Sequence, residues 1–195
     1  MAACHKDSEI FKKKEINDSA STNYHPLTIG SYWIYDVYSI DMNGSETYLF
    51  TDTTRIIGDT IIGGKKYAIK KGKNFGIPFT QFLRNTPGYL LDKNGIIKFS
   101  STNFTDTLHT LDHLPNFIIY HMMDHKDTLI GVPAGVFISS AYKYIWYWGK
   151  PPIPEPRFEY DYYSDGVGIV QSTHFFGFFN QYTHEERLID YLITK

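Results

Sequence analysis

Four histidines lie within seventeen positions in the middle of the chain: His109, His113, His121 and His125. Histidine is a zinc ligand, and two histidines four residues apart share one face of a helix. However, Pro115 limits any helix here, and the chain has no H-E-x-x-H pattern. On a strand, residues four apart are separated by about 13 Å, which is too far to hold one ion. We therefore interpret these histidines as surface or loop residues and expect no metal site.

A local acidic set contains Glu159, Asp161 and Asp165. Glycoside hydrolysis uses two carboxyl groups roughly 5–10 Å apart. On a strand, Glu159 and Asp161 share a face about 6.6 Å apart, which is compatible with that chemistry. A solvent-facing strand edge has the same pattern, so a small hydrolase using this pair or the histidines is the third of three functional hypotheses.

Other signs of catalysis are missing from the sequence. There is no G-x-S-x-G motif, and Ser139-Ser140 has no recognisable histidine and acid partner. Cys4 lies in a polar N-terminal segment that offers no fixed base. No glycine cluster stands between a strand and a helix, as a phosphate-binding loop requires. We predict no catalytic residue and no cofactor.

An aromatic row is the strongest candidate for binding. If Val136–Trp148 is a strand, alternation puts four rings on one face: Tyr142, Tyr144, Trp146 and Trp148. Four such side chains carry roughly 600–1,000 Å² of surface, more than a soluble monomer leaves exposed as one apolar patch. The row is therefore either the wall of a core or the floor of a site for a hydrophobic or glycan ligand.

The rest of the chain indicates short strands separated by turns. Asn43-Gly44 between two β-like runs predicts a hairpin, and turn residues recur every 6–12 positions. The leucines at 108, 111 and 114 favour one helical turn over Thr107–Pro115. Four prolines, at 151, 152, 154 and 156, predict a stiff surface loop after Trp148. We see no second domain and no repeat.

Composition narrows the class. The chain has 195 residues, 17% of them aromatic, and 19 basic against 21 acidic side chains. Its length suits one domain, and its balanced charge makes nucleic acid an unexpected partner. One cysteine excludes an internal disulfide. No apolar run approaches the ~20 residues of a membrane-spanning helix.

Four short segments share a strand-and-turn character: PLTIGSYWIYDV (26–37), GVPAGVF (131–137), YYSDGVGIVQS (162–172) and ERLIDYLI (186–193). Together they resemble segments of uncharacterised β-rich lipoproteins of Gram-negative bacteria. These matches are structural rather than catalytic. The resemblance implies a curved sheet broadly similar to lipoprotein-carrier domains, and no particular reaction.

The first residues, Met1-Ala2-Ala3-Cys4, resemble the end of a lipoprotein signal peptide, although the apolar region that precedes such a cysteine is missing. The resemblance implies lipidation of Cys4 and contact with a membrane through the acyl chains. Residues 1–25 are polar and predict a flexible tether.

We therefore predict an all-β domain over residues 26–195, a strongly curved antiparallel sheet or open barrel of about ten strands with little helix. The first functional hypothesis is a non-enzymatic, lipid-anchored protein of the bacterial cell envelope, facing the outer membrane or periplasm, which binds a hydrophobic ligand or another envelope component on its curved sheet. The second is a glycan-binding surface lipoprotein that uses the exposed rings.

Overall fold

The computed structural model describes residues 23–113, 115–149, 156–175 and 182–195. Within these ranges the chain has no helix, and hence none long and apolar enough to span a bilayer. The strands are β1 (Tyr32–Asp41), β2 (Glu46–Ile62), β3 (Lys65–Asn74), β4 (Ile77–Thr86), β5 (Tyr89–Asp92), β6 (Ile97–Ser100), β7 (His109–His113), β8 (Phe117–Met123), β9 (Thr128–Val132), β10 (Gly135–Trp148), β11 (Arg157–Ser164), β12 (Gly168–Phe175) and β13 (Tyr182–Leu192).

All thirteen strands belong to one antiparallel sheet, in the order β6-β5-β4-β3-β2-β1-β13-β12-β11-β10-β8-β7, with β9 also paired to β10. The predicted all-β class and antiparallel sheet are confirmed. The described residues form thirteen strands, compared with the predicted number of about ten, and one of them, β7, replaces a predicted helical turn.

Turn chemistry explains the hairpins. The carboxylate of Asp41 accepts hydrogen bonds from the N–H groups of Asn43 and Ser45, both at 2.9 Å, and Gly44 takes a positive φ of 79°. An Asx turn followed by glycine closes a β-hairpin without strain. The predicted Asn43-Gly44 hairpin between β1 and β2 is confirmed.

The sheet curves until its two ends meet, which gives it a nearly closed, barrel-like shape. The hydroxyl of Tyr142 on β10 donates to the carbonyl of Ile97 on β6 at 2.7 Å. Nearby, the N–H of Ser100 donates to the sulfur of Met123 on β8 at 3.4 Å. Because no backbone ladder joins β6 to β7 or β8, these side-chain contacts close the seam.

The predicted helical turn over Thr107–Pro115 is wrong. His109–His113 instead form strand β7, which pairs with β8 and places His109 opposite His121. One helical turn is too short to be stable alone, whereas the open edge of β8 offers a row of backbone partners. Leu114, the last of the three spaced leucines, lies outside the described residues.

The predicted long strand is confirmed as β10, a continuous strand of 14 residues. Its first part pairs with β9, its later part pairs with β8, and β11 runs along its other edge. The predicted turn before it is also present, with Gly135 at a φ of 139°. The predicted proline loop lies outside the described residues except for Pro156.

Two apolar clusters fill the curved sheet. The first surrounds the fully buried Trp33 and includes Leu188 and Val170, and the hairpin of β9 and β10 packs against it. The second surrounds Tyr142 and includes Phe99 and Tyr163, whose ring centroids are 4.8 Å apart. Tyr24 packs on Phe99 at 4.4 Å, so the described chain already contacts the core before β1 begins.

Candidate functional site

A cavity of about 260 Å³ lies inside the curved sheet. It holds apolar, hydroxyl-bearing and ionisable groups together. The apolar and aromatic lining is Phe75, Ile77, Phe79, Leu83, Leu90 and Ile169, with Tyr35, Tyr144 and Tyr163. The ionisable lining is His25, Lys70, Lys98, Asp161, His174 and Glu186.

The cavity opens beside a free strand edge. β4 pairs with β5 only from Leu83 to Thr86, because β5 is four residues long. The preceding residues of β4 therefore have no partner strand on that side. Ile77 and Gln81, which line the cavity, are exposed there, whereas Leu83 is buried. The cavity thus runs from an exposed mouth at β4 towards the second apolar cluster.

Lys70 is the more deeply buried of the two lysines that line the cavity. It lies on β3 opposite Gln81 of β4 and is only 5% exposed. Its ammonium group lies over the rings of Trp33 and Phe79, at 5.6 and 5.8 Å from the ring centroids. Burial lowers the pKa of Lys70 to about 8, although Asp161 and Glu186 oppose the shift. The side chain therefore remains largely protonated at neutral pH.

Asp161 lies among hydroxyl donors. It accepts a hydrogen bond from Tyr144 at 2.7 Å and one from Ser172 at 2.6 Å. These bonds satisfy the Asp161 carboxyl group inside the sheet. Burial, with the Asp161 charge as a further cause, raises the pKa of Tyr144 well above its usual value, so that the phenol keeps its proton and remains a donor.

Glu186 on β13 binds the turn between β3 and β4. One of its oxygens accepts from the Phe75 N–H and the other from the Asn74 amide, at 3.0 Å for the amide. The neighbouring Gly76 N–H donates to the buried Asp52 at 2.6 Å. Burial raises the pKa of Glu186 to about 8. Two carboxyl groups therefore hold the hairpin tip against the end of the cavity.

The four rings of the predicted binding row lie at different depths. Tyr142 is fully buried in the second apolar cluster, and its hydroxyl also lies 3.1 Å from His121. Tyr144 lines the cavity. Trp146 and Trp148 are half-buried and stack on each other, with centroids 5.5 Å apart and planes inclined by 13°. The row thus passes from the core, along the cavity wall, to a partly exposed pair.

The two carboxyl groups of the predicted pair, Glu159 and Asp161, lie in different environments. Glu159 is 2% exposed and accepts hydrogen bonds from the indole of Trp146 and the N–H of Phe175. Burial raises its pKa to about 8. Asp161 lines the cavity, whereas Glu159 lies behind its lining and contacts the cavity residue His174, with 3.2 Å between the Glu159 carboxyl oxygen and the His174 Nδ1 atom.

The four histidines differ in burial: His113 and His125 are exposed, whereas His121 is buried. His121 is buried against Tyr142, and its ring meets that of His109 edge-on at 5.1 Å. Burial lowers the pKa of His121 to about 4, so it is neutral at physiological pH. The interpretation as surface or loop residues is wrong for His121, because β8 turns it inward. No group of three or more His, Cys, Asp or Glu side chains among the described residues is arranged to hold a metal ion.

Lys70 and Glu186 were not among the predicted site residues. Lys70 stands among Lys65, Lys66, Lys71 and Lys73, so its strand looks solvent-facing. Alternation with buried residues gives a signal in both cases: Lys70 is two residues from Ala68, and Glu186 is two residues from Leu188. Cys4, the predicted lipidation site, lies outside the described residues.

Two solved structures share this fold. One is a predicted exported protein with a YmcC-like fold from Bacteroides fragilis, at a TM-score of 0.54 and 13% identity. The other is a predicted lipoprotein from Parabacteroides distasonis, at 0.56 and 14%. Each alignment covers 89% of this chain and 100% of the neighbour. No protein-family model and no curated protein matches the chain.

At such low identity the likeness shows the fold alone. That fold agrees with the resemblance to β-rich lipoproteins drawn from the four sequence segments. It assigns no ligand and no reaction to this chain.

Proposed function

We propose that this is a non-enzymatic protein of the bacterial cell envelope, anchored to a membrane through a lipidated Cys4, which binds a small amphiphilic molecule inside its curved sheet. The observation that carries the binding proposal is the cavity of about 260 Å³ with Leu83, Leu90 and Ile169 in its lining. Apolar walls with a few converging polar groups are typical of ligand sites. The exported and lipoprotein descriptions of the two fold neighbours support the envelope location.

Within this proposal the aromatic row has two parts. Tyr144 contacts the ligand in the cavity. Trp146 and Trp148 form the surface to which another envelope component binds, because these half-buried indole rings keep part of their apolar area at the surface.

Glycan binding is the second candidate function. The near-parallel stack of Trp146 on Trp148 favours it, because sugar rings pack on flat aromatic faces. Phe117 and Phe175 contact the same indoles at 5.4–5.6 Å, which gives the stack a rigid backing. A Trp148→Ala variant separates the two candidates: it abolishes glycan binding if the stack is the site, and leaves a ligand in the cavity unaffected.

The binding proposal is tested by calorimetric titration with decanol, a neutral ten-carbon amphiphile. We expect saturable binding of one molecule per chain. Ile169→Phe adds volume inside the cavity and should weaken binding at least tenfold, whereas Ile138→Phe, at a position 56% exposed, should not change it. Thermal unfolding of both variants verifies folding, and Leu90→Phe gives a second cavity-filling variant. The absence of saturable binding to the unchanged protein, both of decanol and of ten-carbon amphiphiles with a charged headgroup, contradicts the proposal.

The anchor is tested by metabolic labelling with an alkyne-bearing fatty acid in bacteria that express the native gene. Label should appear on the protein, disappear in Cys4→Ser, and persist in Ser19→Ala, which changes a residue of the predicted tether. Equal labelling of all three proteins would contradict lipidation at Cys4.

A further inference from the structure

The cavity wall contains a buried cation that lacks a protein counter-ion in contact. Among the described residues, no carboxylate oxygen lies within 4.0 Å of the Lys70 ammonium group, which lies over the rings of Trp33 and Phe79. A buried charge is normally paired or hydrogen-bonded, because desolvation is costly. Cation–π contacts compensate only part of that cost. The position therefore favours an anion brought in from outside.

The acidic groups of the cavity are occupied by other donors. Asp161 accepts from Tyr144 and Ser172, and Glu186 accepts from the backbone and side chain of the β3–β4 turn. Neither carboxyl group contacts Lys70, although both lie near enough to raise its pKa. Lys98, half-buried on β6, adds a second ammonium group to the same lining.

Lys70 and the two leucines of the lining occupy neighbouring parts of the cavity. Lys70 lies opposite Gln81, beside the mouth at the free edge of β4. Leu83 and Leu90 lie in the second apolar cluster, where β4 is paired with β5. A molecule that enters tail first would bury its chain against the leucines and leave its headgroup beside the ammonium group.

We infer that the cavity takes an anionic amphiphile, a single apolar chain with one acidic headgroup that pairs with Lys70. This inference rests on the proposed function and specifies the class of its ligand. Lys70 is a specificity-determining residue, since it distinguishes a charged headgroup from a neutral one of similar size.

Matched ligands test the inference. Decanoate and decanol share a chain and differ in headgroup charge, and decyl phosphate replaces the carboxylate by a phosphate. We expect the unchanged protein at pH 7 to bind decanoate at least tenfold more tightly than decanol. Lys70→Met keeps side-chain length and removes the charge, so it should bring decanoate to the affinity of decanol and leave decanol unchanged. Lys70→Arg should retain the preference. The tighter of the two anions identifies the headgroup.

Three outcomes contradict the inference in different ways. Equal affinity of the unchanged protein for decanoate and decanol refutes the role of charge while the proposed function stands. A loss of preference in Lys98→Met, with none in Lys70→Met, assigns the headgroup to the other lysine. Failure of all three ligands to bind refutes the proposed function itself. Near-ultraviolet circular dichroism of each variant verifies that the core is intact.

Discussion

The ring of Phe75 stacks on the imidazole of His174, with centroids 4.8 Å apart and planes inclined by 9°. Phe75 stands at the tip of the β3–β4 hairpin with a φ of 49°, a left-handed conformation that is uncommon for a non-glycine residue. Glu186 and Asp52 accept hydrogen bonds from the backbone of the same turn. Residues of three strands, β12, β13 and β2, therefore contact the hairpin tip and fix its position.

Removal of the Glu186 carboxyl group should loosen this tip. In Glu186→Ala the Phe75 N–H loses its acceptor, so hydrogen exchange at that amide should accelerate at least tenfold. Glu185→Ala is the matched control, because Glu185 pairs with Arg187 instead. Amide exchange followed by nuclear magnetic resonance measures both. Equal exchange at Phe75 in the two variants would show that Glu186 does not hold the turn.

A close approach at Gly168 should make that position intolerant of a side chain. A Cβ atom there would lie 2.5 Å from the ring nitrogen Nδ1 of the buried His25 and 3.5 Å from the indole nitrogen of Trp33, and the φ of 101° adds strain. We expect Gly168→Ala to cost about 2 kcal/mol or more of unfolding free energy.

Gly131→Ala is the control for that substitution. Gly131 also lies in one of the four segments that resemble β-rich lipoproteins, but its Cβ would meet nothing within 4 Å. Urea denaturation should give the two variants clearly different midpoints. Similar midpoints would contradict the packing of Gly168 on His25.

The hydroxyl of Tyr142 should stabilise the seam of the sheet. Tyr142→Phe removes the hydrogen bond to Ile97 and leaves the Ile97 carbonyl and the buried His121 with one partner fewer, a loss of about 1–2 kcal/mol. Tyr147→Phe changes the opposite face of the same strand and should cost less than ~0.5 kcal/mol. Chemical denaturation of both variants measures this difference in unfolding free energy. No difference between the variants would mean that the seam is closed by packing alone.

Two buried glutamates should make the protein less stable as pH rises. The pKa values of Glu159 and Glu186 are raised to about 8 in the folded state, while the unfolded chain ionises near 4.5. Between these values the unfolded state binds fewer protons, so unfolding free energy falls as pH rises from about 5 to 8. Each glutamate should contribute on the order of 1 kcal/mol or more to this fall.

The urea midpoint at pH 5.5 and at pH 8 measures this fall. His25 and His121, whose pKa values are lowered by burial, act in the opposite direction below about pH 6.5, so the comparison is made against the double variant Glu159→Gln and Glu186→Gln. The difference between the urea midpoints at pH 5.5 and pH 8 should be smaller in the double variant than in the unchanged protein. An unchanged difference would contradict the raised pKa values.

The fold was predictable because local turn chemistry and alternation agree with the sheet. Asn43-Gly44 and Pro133–Gly135 lie in hairpin turns, and Val136–Trp148 is a strand of the sheet as its alternation indicates. The segment around Leu108 and Leu111 was not predictable in this way. Its three-residue spacing suggests a helix, and only the open edge of β8, formed by a distant part of the chain, converts it to a strand.

The site was less predictable, since its charged members come from strands distant in sequence. Tyr144 was predicted from the aromatic row, but Lys70, Glu186 and Asp161 lie on β3, β13 and β11, and only the closure of the sheet brings them together. Alternation with the small residue Ala68 is the local sign that Lys70 is buried, and the neighbouring lysines of the same strand mask it. The inward orientation of Lys70 follows from sheet register, which the sequence specifies only where one face is clearly apolar.

The most direct test of the central claim is a crystal structure with decanoate that carries bromine at the end of its chain. We expect an anomalous bromine peak inside the curved sheet, in contact with Leu83 or Leu90, and the carboxylate beside the Lys70 ammonium group. An empty cavity, or a bromine peak against Trp146 and Trp148 instead, would contradict the account.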